Sequence, residues 1–221
     1  MVKYHIRLYE DSDYQTVRDI YTAGVQQHIP RACRHLLKQQ WLHAIVVLVF
    51  CLLLLLSSSL LLTLVVMALL VALGHQLVKH LWSEIIKQNL QEDLLDIRKS
   101  YMDRADACFW VVECNGAVVG TVGAEPSKAS AHDLELKRMN VTKEYRGCGI
   151  AKALCQTVLD FAQCQGFSGI VLRTSIIQHE AQSLYHKMGY RLVDKVLVPR
   201  VLAKLSNYII YKYRYQIPAS N

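Results

Sequence analysis

The chain has no C-x-x-C pair, and its seven cysteines are an odd number. Closely spaced cysteine pairs typically hold zinc, and an even set is typical of a disulfide-bonded secreted domain. Both patterns are absent, which favours reduced thiols in the cytosol and no metal site. The sequence also has no internal repeat and no low-complexity linker. Its 221 residues leave room for one soluble domain and one further segment.

Charged residues are absent from Trp41 to Leu73, a run that is apolar almost throughout. A single helix of this length would extend about 50 Å, whereas the hydrocarbon core of a bilayer is about 30 Å thick. The one substantial polar break is Ser57-Ser58-Ser59, whose hydroxyls can satisfy backbone groups freed at a turn. The run therefore predicts a membrane-embedded helical hairpin with arms Trp41–Leu56 and Leu60–Leu73.

Basic residues flank this run on both sides, namely Arg31, Arg34, Lys38, Lys79 and Lys87. Because Lys and Arg concentrate on the cytoplasmic side of membrane segments, both ends are expected in the cytosol. The net charge of +7 is then explained by attraction to anionic lipid headgroups rather than by a nucleic-acid surface. A single tilted span with its flanks on opposite sides is the alternative.

The remaining sequence alternates between strand and helix patterns. Asn115-Gly116 joins two apolar runs and is a strong signal for a β-hairpin. The predicted strands are Tyr4–Leu8, Phe109–Glu113, Val118–Val122, Leu134–Val141, Ile170–Thr174, Tyr190–Val198 and Tyr208–Tyr215. The predicted helices are one that starts at Ser12 or Asp13, one that carries Leu90, Leu94, Ile97 and Tyr101 on one face, Ile150–Gln165 and Glu180–Lys187.

The motif with the clearest chemistry is Arg146-Gly147-Cys148-Gly149-Ile150-Ala151, between a predicted strand and a predicted helix. Its glycines allow backbone N–H groups to converge on an anion, and the helix N-terminus adds partial positive charge. A Walker A loop is excluded because Ile150-Ala151 stand where Lys and Ser or Thr are needed. A Rossmann loop is excluded because Lys152 replaces a small residue and no acid follows about 20 residues later. A pyrophosphate cradle remains, with a plain strand–turn–helix connection as the alternative.

The remaining pattern, Arg-x-x-Gly-x-Ala, resembles the pyrophosphate loop of acetyl-coenzyme A-dependent N-acetyltransferases of the GNAT superfamily. A second motif, Gln178-x-x-Ala181-x-x-Leu184-Tyr185-x-x-x-Gly189-Tyr190, resembles the Asn-x-x-Ala-x-x-Leu-Tyr-x-x-x-Gly-Phe pattern of that superfamily. Further segments, together with the apolar insert, resemble the N-acetyltransferase 8, or camello, family: His5-Ile6-Arg7, Asp96-Ile97-x-Lys99-Ser100-Tyr101, Cys108-Phe109-Trp110-Val111, Val118-Val119-Gly120-x-Val122-Gly123-Ala124 and Gly149-Ile150-Ala151-Lys152-Ala153-Leu154.

The resemblance implies an α/β protein with the GNAT fold, a mixed central sheet flanked by helices, interrupted by the membrane hairpin. Residues 1–40 would supply the first strand and helix, 41–75 the hairpin, and 76–221 the rest of the domain. The resemblance also implies an enzyme of the endoplasmic-reticulum membrane, and the odd number of cysteines and the basic flanks favour a catalytic domain that faces the cytosol. Its expected acceptor is the free α-amine of a cysteine S-conjugate, which gives a mercapturate. Aspartate, protein lysines of the secretory pathway and a non-enzymatic membrane adaptor remain open alternatives.

The resemblance implies that Tyr185 protonates the departing thiolate, with a packing residue of the helix as the alternative. Glu135 lies on the predicted strand that feeds the site and is the candidate to accept the proton of the amine. An α-carboxylate on the acceptor calls for a cation; Lys137, Arg138 and Arg173 lie on predicted strands near the cleft, and the arginines are the better two-point partners. A solvated strand face is the alternative for Glu135 and for these cations. His132 and His179 are expected at the surface. Residues expected to contact acetyl-CoA are Met139, Val141, Arg146, Gly147, Cys148, Gly149, Ile150, Ala151 and Gln178.

Overall fold

A seven-stranded mixed sheet organises the protein, with the strand order β1-β2-β3-β4-β5-β7-β6. The structure is a computed structural model that describes residues 3–199 and 201–218, so both ends of the predicted domain lie outside the described residues. Only the β4–β5 pair is parallel among the described pairs. The strands are β1 His5–Leu8, β2 Cys108–Cys114, β3 Ala117–Ser127, β4 Ser130–Val141, β5 Gly169–Ser175, β6 Arg191–Leu197 and β7 Ile209–Gln216. The helices are α1 Tyr14–Gln26, α2 Ile29–Leu37, α3 Gln40–Ser57, α4 Leu60–Leu90, α5 Ile150–Cys164, α6 His179–Lys187 and α7 Val201–Leu205.

The hairpin between β2 and β3 forms where the sequence predicts it. Asn115 and Gly116 have φ values of +52° and +77°, which is the left-handed pair that a two-residue type I′ turn requires. This turn sets the register of the nearest pairs, in which Glu113 faces Val118, and an irregularity between Val112 and Glu113 shifts the register beyond them. The predicted GNAT fold, a mixed sheet flanked by helices, is confirmed.

Helices cover both faces of the sheet. On one face α5 buries Ile150, Leu154 and Val158 against the strands, as its apolar spacing predicts. On the other face α1 buries Val17 and Tyr21 beside the segment that follows α4. Full burial of an aliphatic side chain contributes about 1.5–3 kcal/mol relative to its exposure. These two apolar layers therefore fix the sheet from which the site is built.

A helical hairpin, formed by α3 and α4, leaves this domain between β1 and β2. Ser58 adopts a left-handed conformation with φ +50°, and Ser59 caps α4 by accepting a hydrogen bond from the Leu62 N–H. The Ser57 and Thr63 hydroxyls hydrogen-bond at 3.2 Å, and Thr63 is fully buried there. The turn is therefore where the sequence predicts it. Both helices are long and apolar enough to cross a membrane, by length and composition.

Two details of this region differ from the prediction. The helix α2, Ile29–Leu37, was not predicted. The predicted end of the insert at residue 75 lies inside α4, which continues to Leu90 as one helix. The apolar run stops at Leu73, but the polar residues that follow it do not end the helix.

The predicted amphipathic helix with Leu90, Leu94, Ile97 and Tyr101 on one face is wrong. Leu90 ends α4, a series of turns follows, and Arg98–Met102 forms a single π-helical turn. The Asp96 carboxylate accepts from the Lys99 N–H at 2.9 Å and stabilises this turn. Leu94, Ile97 and Tyr101 are nevertheless buried in one apolar cluster, and Leu90 packs against this cluster partly buried.

Candidate active site

The two parallel strands β4 and β5 diverge in the middle of the sheet. Their pairing joins Asp133–Leu136 to Gly169–Leu172. Just beyond, β4 contains a bulge at which Arg138 has φ +53° and the register to β3 shifts. The Thr121 hydroxyl donates to the Arg138 carbonyl oxygen at 2.9 Å. Because a bulge bends its strand, the end of β4 leads away from β5, and an extended ligand can enter the gap.

An exposed glycine loop follows β4 at the mouth of this gap. Gly147 and Gly149 have φ values of +76° and +85°, and a Cβ built on either would meet no atom within 4 Å. Gly149 caps α5, so the loop leads directly to the unpaired N–H groups of the first helical turn. This open loop with a helix N-terminus behind it fits the pyrophosphate of acetyl-CoA.

The other predicted loop residues surround this cradle. Arg146 is exposed, and its Nε donates to the Val141 carbonyl oxygen at 3.0 Å. Cys148 is exposed as well, whereas the Ile150 side chain is buried in the core below α5. Only the backbone of Ile150 can therefore face a phosphate. The coenzyme contacts of these residues remain predictions.

Tyr185 lies on α6 with its ring inside the core. Its ring centroid is 5.6 Å from that of Tyr190 and 6.0 Å from that of Tyr213. Burial raises the pKa of Tyr185 far above its ordinary value, and the nearby Cys155 thiol adds to the rise. Its hydroxyl is therefore protonated at neutral pH. That state is the one a proton donor needs.

Gln178 joins the end of β5 to the start of α6. Its side-chain oxygen accepts from the Ser175 N–H at 2.9 Å and from the Thr174 hydroxyl at 2.9 Å. These bonds orient its amide nitrogen toward His28 Nε2, 3.2 Å away. Gln178 thus fixes the position of α6 and of Tyr185, and its predicted contact with the coenzyme arm remains a prediction.

Glu135 and Arg173 form an ion pair across β4 and β5. Arg173 Nε and Nη2 donate to Glu135 Oε1 at 2.9 and 2.7 Å. The Glu135 side chain is 8% exposed, whereas that of Arg173 is 61% exposed. The carboxylate is therefore held in place inside the protein, while much of the guanidinium faces solvent.

Arg138 has a different environment. Its Nε donates to Asp93 Oδ2 at 2.9 Å, its Nη2 donates to Asp93 Oδ1, and its Nη1 donates to Asn89 Oδ1 at 3.1 Å. Its guanidinium lies 5.0 Å from the centre of the Tyr21 ring. Asp93 also accepts from the Tyr101 hydroxyl. Of the two predicted arginines, Arg138 thus has an internal counter-ion that Arg173 does not share.

The ion pairs border a cleft of about 510 Å³ between α1, α4, β4, β5 and β7. Its walls bring together Glu135, Arg138, Arg173 and Gln178 of the predicted site. They also contain residues that the sequence reasoning missed, among them His28, Trp82, Ile85, Asn89, Glu125 and Tyr208. Burial and the nearby Arg31 and Arg146 lower the pKa of His28, so its imidazole is neutral at neutral pH.

His132 and His179 are exposed, as expected. The seven cysteines are all free thiols. Within residues 3–199 and 201–218, no group of three or more His, Cys, Asp and Glu side chains has an arrangement that could hold a metal ion.

Comparison with known families connects this geometry to acetyl transfer. Residues 74–190 match the model of the Acetyltransferase (GNAT) family. The chain is 36% identical over 217 residues to a probable N-acetyltransferase camello of Xenopus tropicalis, covering 98% of this chain and 99% of that protein. It is 38% identical over 224 residues to N-acetyltransferase 8F1 of Mus musculus, covering the full length of both.

Solved structures agree on the fold. A GNAT-family acetyltransferase from Staphylococcus aureus Mu50 superimposes with a TM-score of 0.61 at 18% identity, covering 97% of this chain and 99% of that one. A putative streptothricin acetyltransferase from Bacillus anthracis, solved in complex with acetyl coenzyme A, gives a TM-score of 0.51 at 17% identity. That match covers 55% of this chain and 70% of the other.

Proposed function

From the premise that this chain belongs to the N-acetyltransferase 8, or camello, family of GNAT acetyltransferases and is an acetyl-CoA-dependent acyltransferase, we propose that it acetylates cysteine S-conjugates. The acceptor atom is the free α-amine, and the product is a mercapturate. The observation that carries this proposal is the cleft in which the buried Glu135 carboxylate pairs with the exposed Arg173, beside the diverging ends of β4 and β5.

Acetyl-CoA supplies the acetyl group as a thioester. A new C–N bond forms to the amine as the C–S bond breaks. Glu135 accepts the proton that the amine loses, and Tyr185 donates a proton to the sulfur. A free α-amine has a pKa of about 8, so a fraction is already neutral at pH 7 and a carboxylate is a sufficient base.

Arg173 is the residue that we assign to the acceptor carboxylate. Nε and Nη2 of its guanidinium donate to Glu135, and the Arg173 side chain as a whole is 61% exposed, so it can reach a second carboxylate in the cleft. Arg138 is less suited to this role because its side chain is only 10% exposed and its Nε, Nη1 and Nη2 all donate to Asp93 or Asn89. Guanidinium groups favour two-point contacts with carboxylates, which supports selection of an amino acid over a simple amine.

The proposed location is the endoplasmic-reticulum membrane, with the catalytic domain in the cytosol. Supporting this, α3 has a mean hydropathy of 2.4 with none of its apolar window buried, and α4 has 2.3 with 6% buried. Basic residues flank the apolar run on both sides. A cysteine conjugate with an apolar substituent concentrates at the bilayer, so an enzyme anchored there meets it at high local concentration.

An acceptor screen tests this function. Purified full-length protein in detergent would receive labelled acetyl-CoA with S-benzylcysteine, aspartate or a lysine peptide. We expect the highest kcat/KM with S-benzylcysteine. A preference for aspartate or for the peptide would replace the proposed acceptor, and no transfer to any amine would support a non-enzymatic adaptor.

A second arm tests Arg173 with a matched pair of acceptors. S-benzylcysteine and 2-(benzylthio)ethylamine share the amine and the benzyl group, but only the first has a carboxylate. We expect Arg173→Gln to raise KM for S-benzylcysteine and to leave KM for the amine unchanged. An equal change for both acceptors would remove Arg173 from carboxylate recognition.

A further inference from the structure

One face of α4 forms a wall of the cleft beyond the charged groups. Trp82, Ile85 and Asn89 are spaced by three and four residues, so they lie on the same side of the helix. All three are half-buried and line the cleft. The polarity of this wall changes along the helix. At one end Asn89 Oδ1 accepts a hydrogen bond from Arg138, whereas Ile85 and Trp82 are apolar.

Other aromatic and apolar side chains line the cleft together with these two residues. The Trp82 ring meets the ring of Tyr208 edge-to-face, with 6.3 Å between their centroids. Val25 of α1 and Ile210 of β7 are further apolar residues among those that line the cleft. The cleft therefore has a polar end at Glu135, Arg138 and Arg173 and a largely apolar end at Trp82.

The helix also sets the scale of the apolar part. At 1.5 Å per residue, Ile85 lies about 6 Å and Trp82 about 10 Å along the axis from Asn89. One aromatic ring or a short alkyl chain fits this length. Lys79, the first charged residue after the apolar run, lies about 15 Å from Asn89. The apolar part of the cleft therefore lies between the charged groups Glu135, Arg138 and Arg173 and the apolar segment of α4, which ends at Leu73.

This wall is fixed before any ligand binds. Arg18 Nη1 of α1 donates to the carbonyl oxygens of Leu90 and Leu94 at 2.8 and 2.7 Å. The Tyr14 hydroxyl donates to the Leu95 carbonyl oxygen at 3.1 Å. These bonds tie the end of α4 to α1, so a ligand that contacts Trp82 does not have to order the helix first.

We propose that Trp82 and Ile85 form a subsite for the apolar side-chain substituent of the acceptor. The amine and the carboxylate of the acceptor then point to Glu135 and Arg173, and the substituent points along α4 toward the membrane. The subsite deepens the proposed function and rests on it. In this arrangement α4 has two roles: it is part of the apolar hairpin, and it carries the side chains that select the substituent of the acceptor.

Two variants and a control test the subsite in the full-length protein. Trp82→Ala removes the aromatic wall, and Ile85→Trp fills the space. Leu73→Ala is the control, because Leu73 is 67% exposed and lies nine residues, or two and a half turns, before Trp82. The acceptors are S-methylcysteine and S-benzylcysteine, which share the amine and the carboxylate.

We expect Trp82→Ala and Ile85→Trp each to lower the preference for S-benzylcysteine over S-methylcysteine, expressed as a ratio of kcat/KM, by about tenfold or more. The KM for acetyl-CoA should be unchanged, because neither Trp82 nor Ile85 is among the residues expected to contact the coenzyme. Leu73→Ala should leave the preference unchanged. Trp82→Phe, which keeps an aromatic ring, should retain most of the preference for S-benzylcysteine.

The outcomes distinguish failure of the Trp82–Ile85 subsite from failure of the proposed acetylation of cysteine S-conjugates. A wild-type protein that acetylates S-benzylcysteine, with an unchanged preference in both variants, overturns the subsite and leaves the proposed function intact. A wild-type protein inactive on both cysteine derivatives overturns the proposed function and the subsite together. If Trp82→Ala does not fold, Ile85→Trp alone decides, since it adds volume at the cleft surface.

Discussion

Asp93 and Arg138 form a two-point ion pair that joins the bulge of β4 to the segment after α4. Both side chains are 10% exposed. Arg138 adopts a left-handed backbone conformation at this position, which is unfavourable for a residue with a Cβ. The pair therefore connects β4, which borders the proposed coenzyme gap, with the segment that directly follows α4 of the apolar hairpin.

Replacing Asp93 by Asn should destabilise the protein. Arg138 would keep its charge in a buried place with only the exposed Glu92, 3.8 Å away, as a counter-ion, and loss of a buried partner costs about 3–5 kcal/mol of the free energy of unfolding. Glu84→Gln is the control, because the Glu84–Lys87 pair is exposed, where a pair contributes about 0–1 kcal/mol. Thermal unfolding in detergent measures both. Equal stability of the two variants would contradict a structural role of Asp93.

The Asp93 contribution should also depend on pH. Burial pushes the pKa of Asp93 up, but hydrogen bonds and charge from Arg138, with Lys137 and Tyr101, bring it below the ordinary value of 3.8. A lowered pKa in the folded state means that the stabilisation is present above the unfolded pKa and is lost as the pH falls through the folded pKa. The stability difference between wild type and Asp93→Asn should therefore be constant near neutral pH and shrink below about pH 4.

Gly149→Asp should abolish acetyl-CoA binding while the fold is retained. The carboxylate would repel the phosphates at the helix N-terminus, and the left-handed backbone adds strain. Gly166→Asp is a matched control, since Gly166 follows the same helix, has φ +75° and also faces open space. Calorimetry with acetyl-CoA should separate the two variants, and similar melting temperatures should show equal strain. Unchanged binding to Gly149→Asp would disprove the cradle.

Tyr185→Phe should lower kcat by about 10²–10⁴-fold, the range of general acid catalysis, with little change in KM for acetyl-CoA. Tyr190→Phe is the control, because burial raises the pKa of that hydroxyl too and its ring lies in the same cluster. The raised pKa of Tyr185 also means that kcat should not fall near pH 10 through loss of its proton. Single-turnover kinetics would test the chemical step, and a rate equal to that of Tyr190→Phe would remove Tyr185 from the mechanism.

Glu135→Gln should lower kcat/KM strongly at pH 7 and weakly at pH 9. At the higher pH most α-amines, with a pKa of about 8, are already neutral and need no base. Glu125→Gln is the control, since Glu125 is another cleft carboxylate with a cationic partner, Lys137 at 2.9 Å. An equal loss of kcat/KM at pH 7 and at pH 9 would mean that Glu135 has a structural role and does not accept the proton of the amine.

Both termini should lie in the cytosol. The serine turn divides the apolar run, and β1 must share a compartment with the later strands because it pairs with β2. Glycosylation acceptor sites added at each terminus should remain unmodified in microsomes. Modification of the C-terminal site would place the catalytic domain in the lumen and would favour protein lysines as acceptors.

Local patterns were sufficient to predict the strands, the Asn115-Gly116 turn and the serine turn, since each depends on neighbours in the sequence. The extent of α4 was not predicted, because the loss of apolar character after Leu73 marks a change of surroundings rather than a helix end. The pairing of Arg138 with Asp93 was missed as well. It joins residues 45 apart in the chain, and its only sequence signal is an acid beside the buried Leu94.

The sequence predicted the parts of the candidate site that are contiguous in the chain and missed those assembled from distant segments. The glycine loop is contiguous, so its conformation follows from its own residues. The cleft wall is assembled from α1, α4 and β7, and Trp82 or Tyr208 has no feature in the sequence that marks it as part of the site. Arg173 and Glu135 were both candidates, but their mutual ion pair follows only from the parallel register of β4 and β5.

The edge strand β1 has a consequence for biosynthesis. Arg7 of β1 bonds Glu113 of β2, and 106 residues separate them. At the usual speed of translation, about 5–20 residues per second, β1 waits roughly 5–20 s for its partner. The apolar hairpin emerges from the ribosome during this delay. In a chain that inserts into a membrane, the compartment in which the enzyme works is thus chosen before its sheet can close.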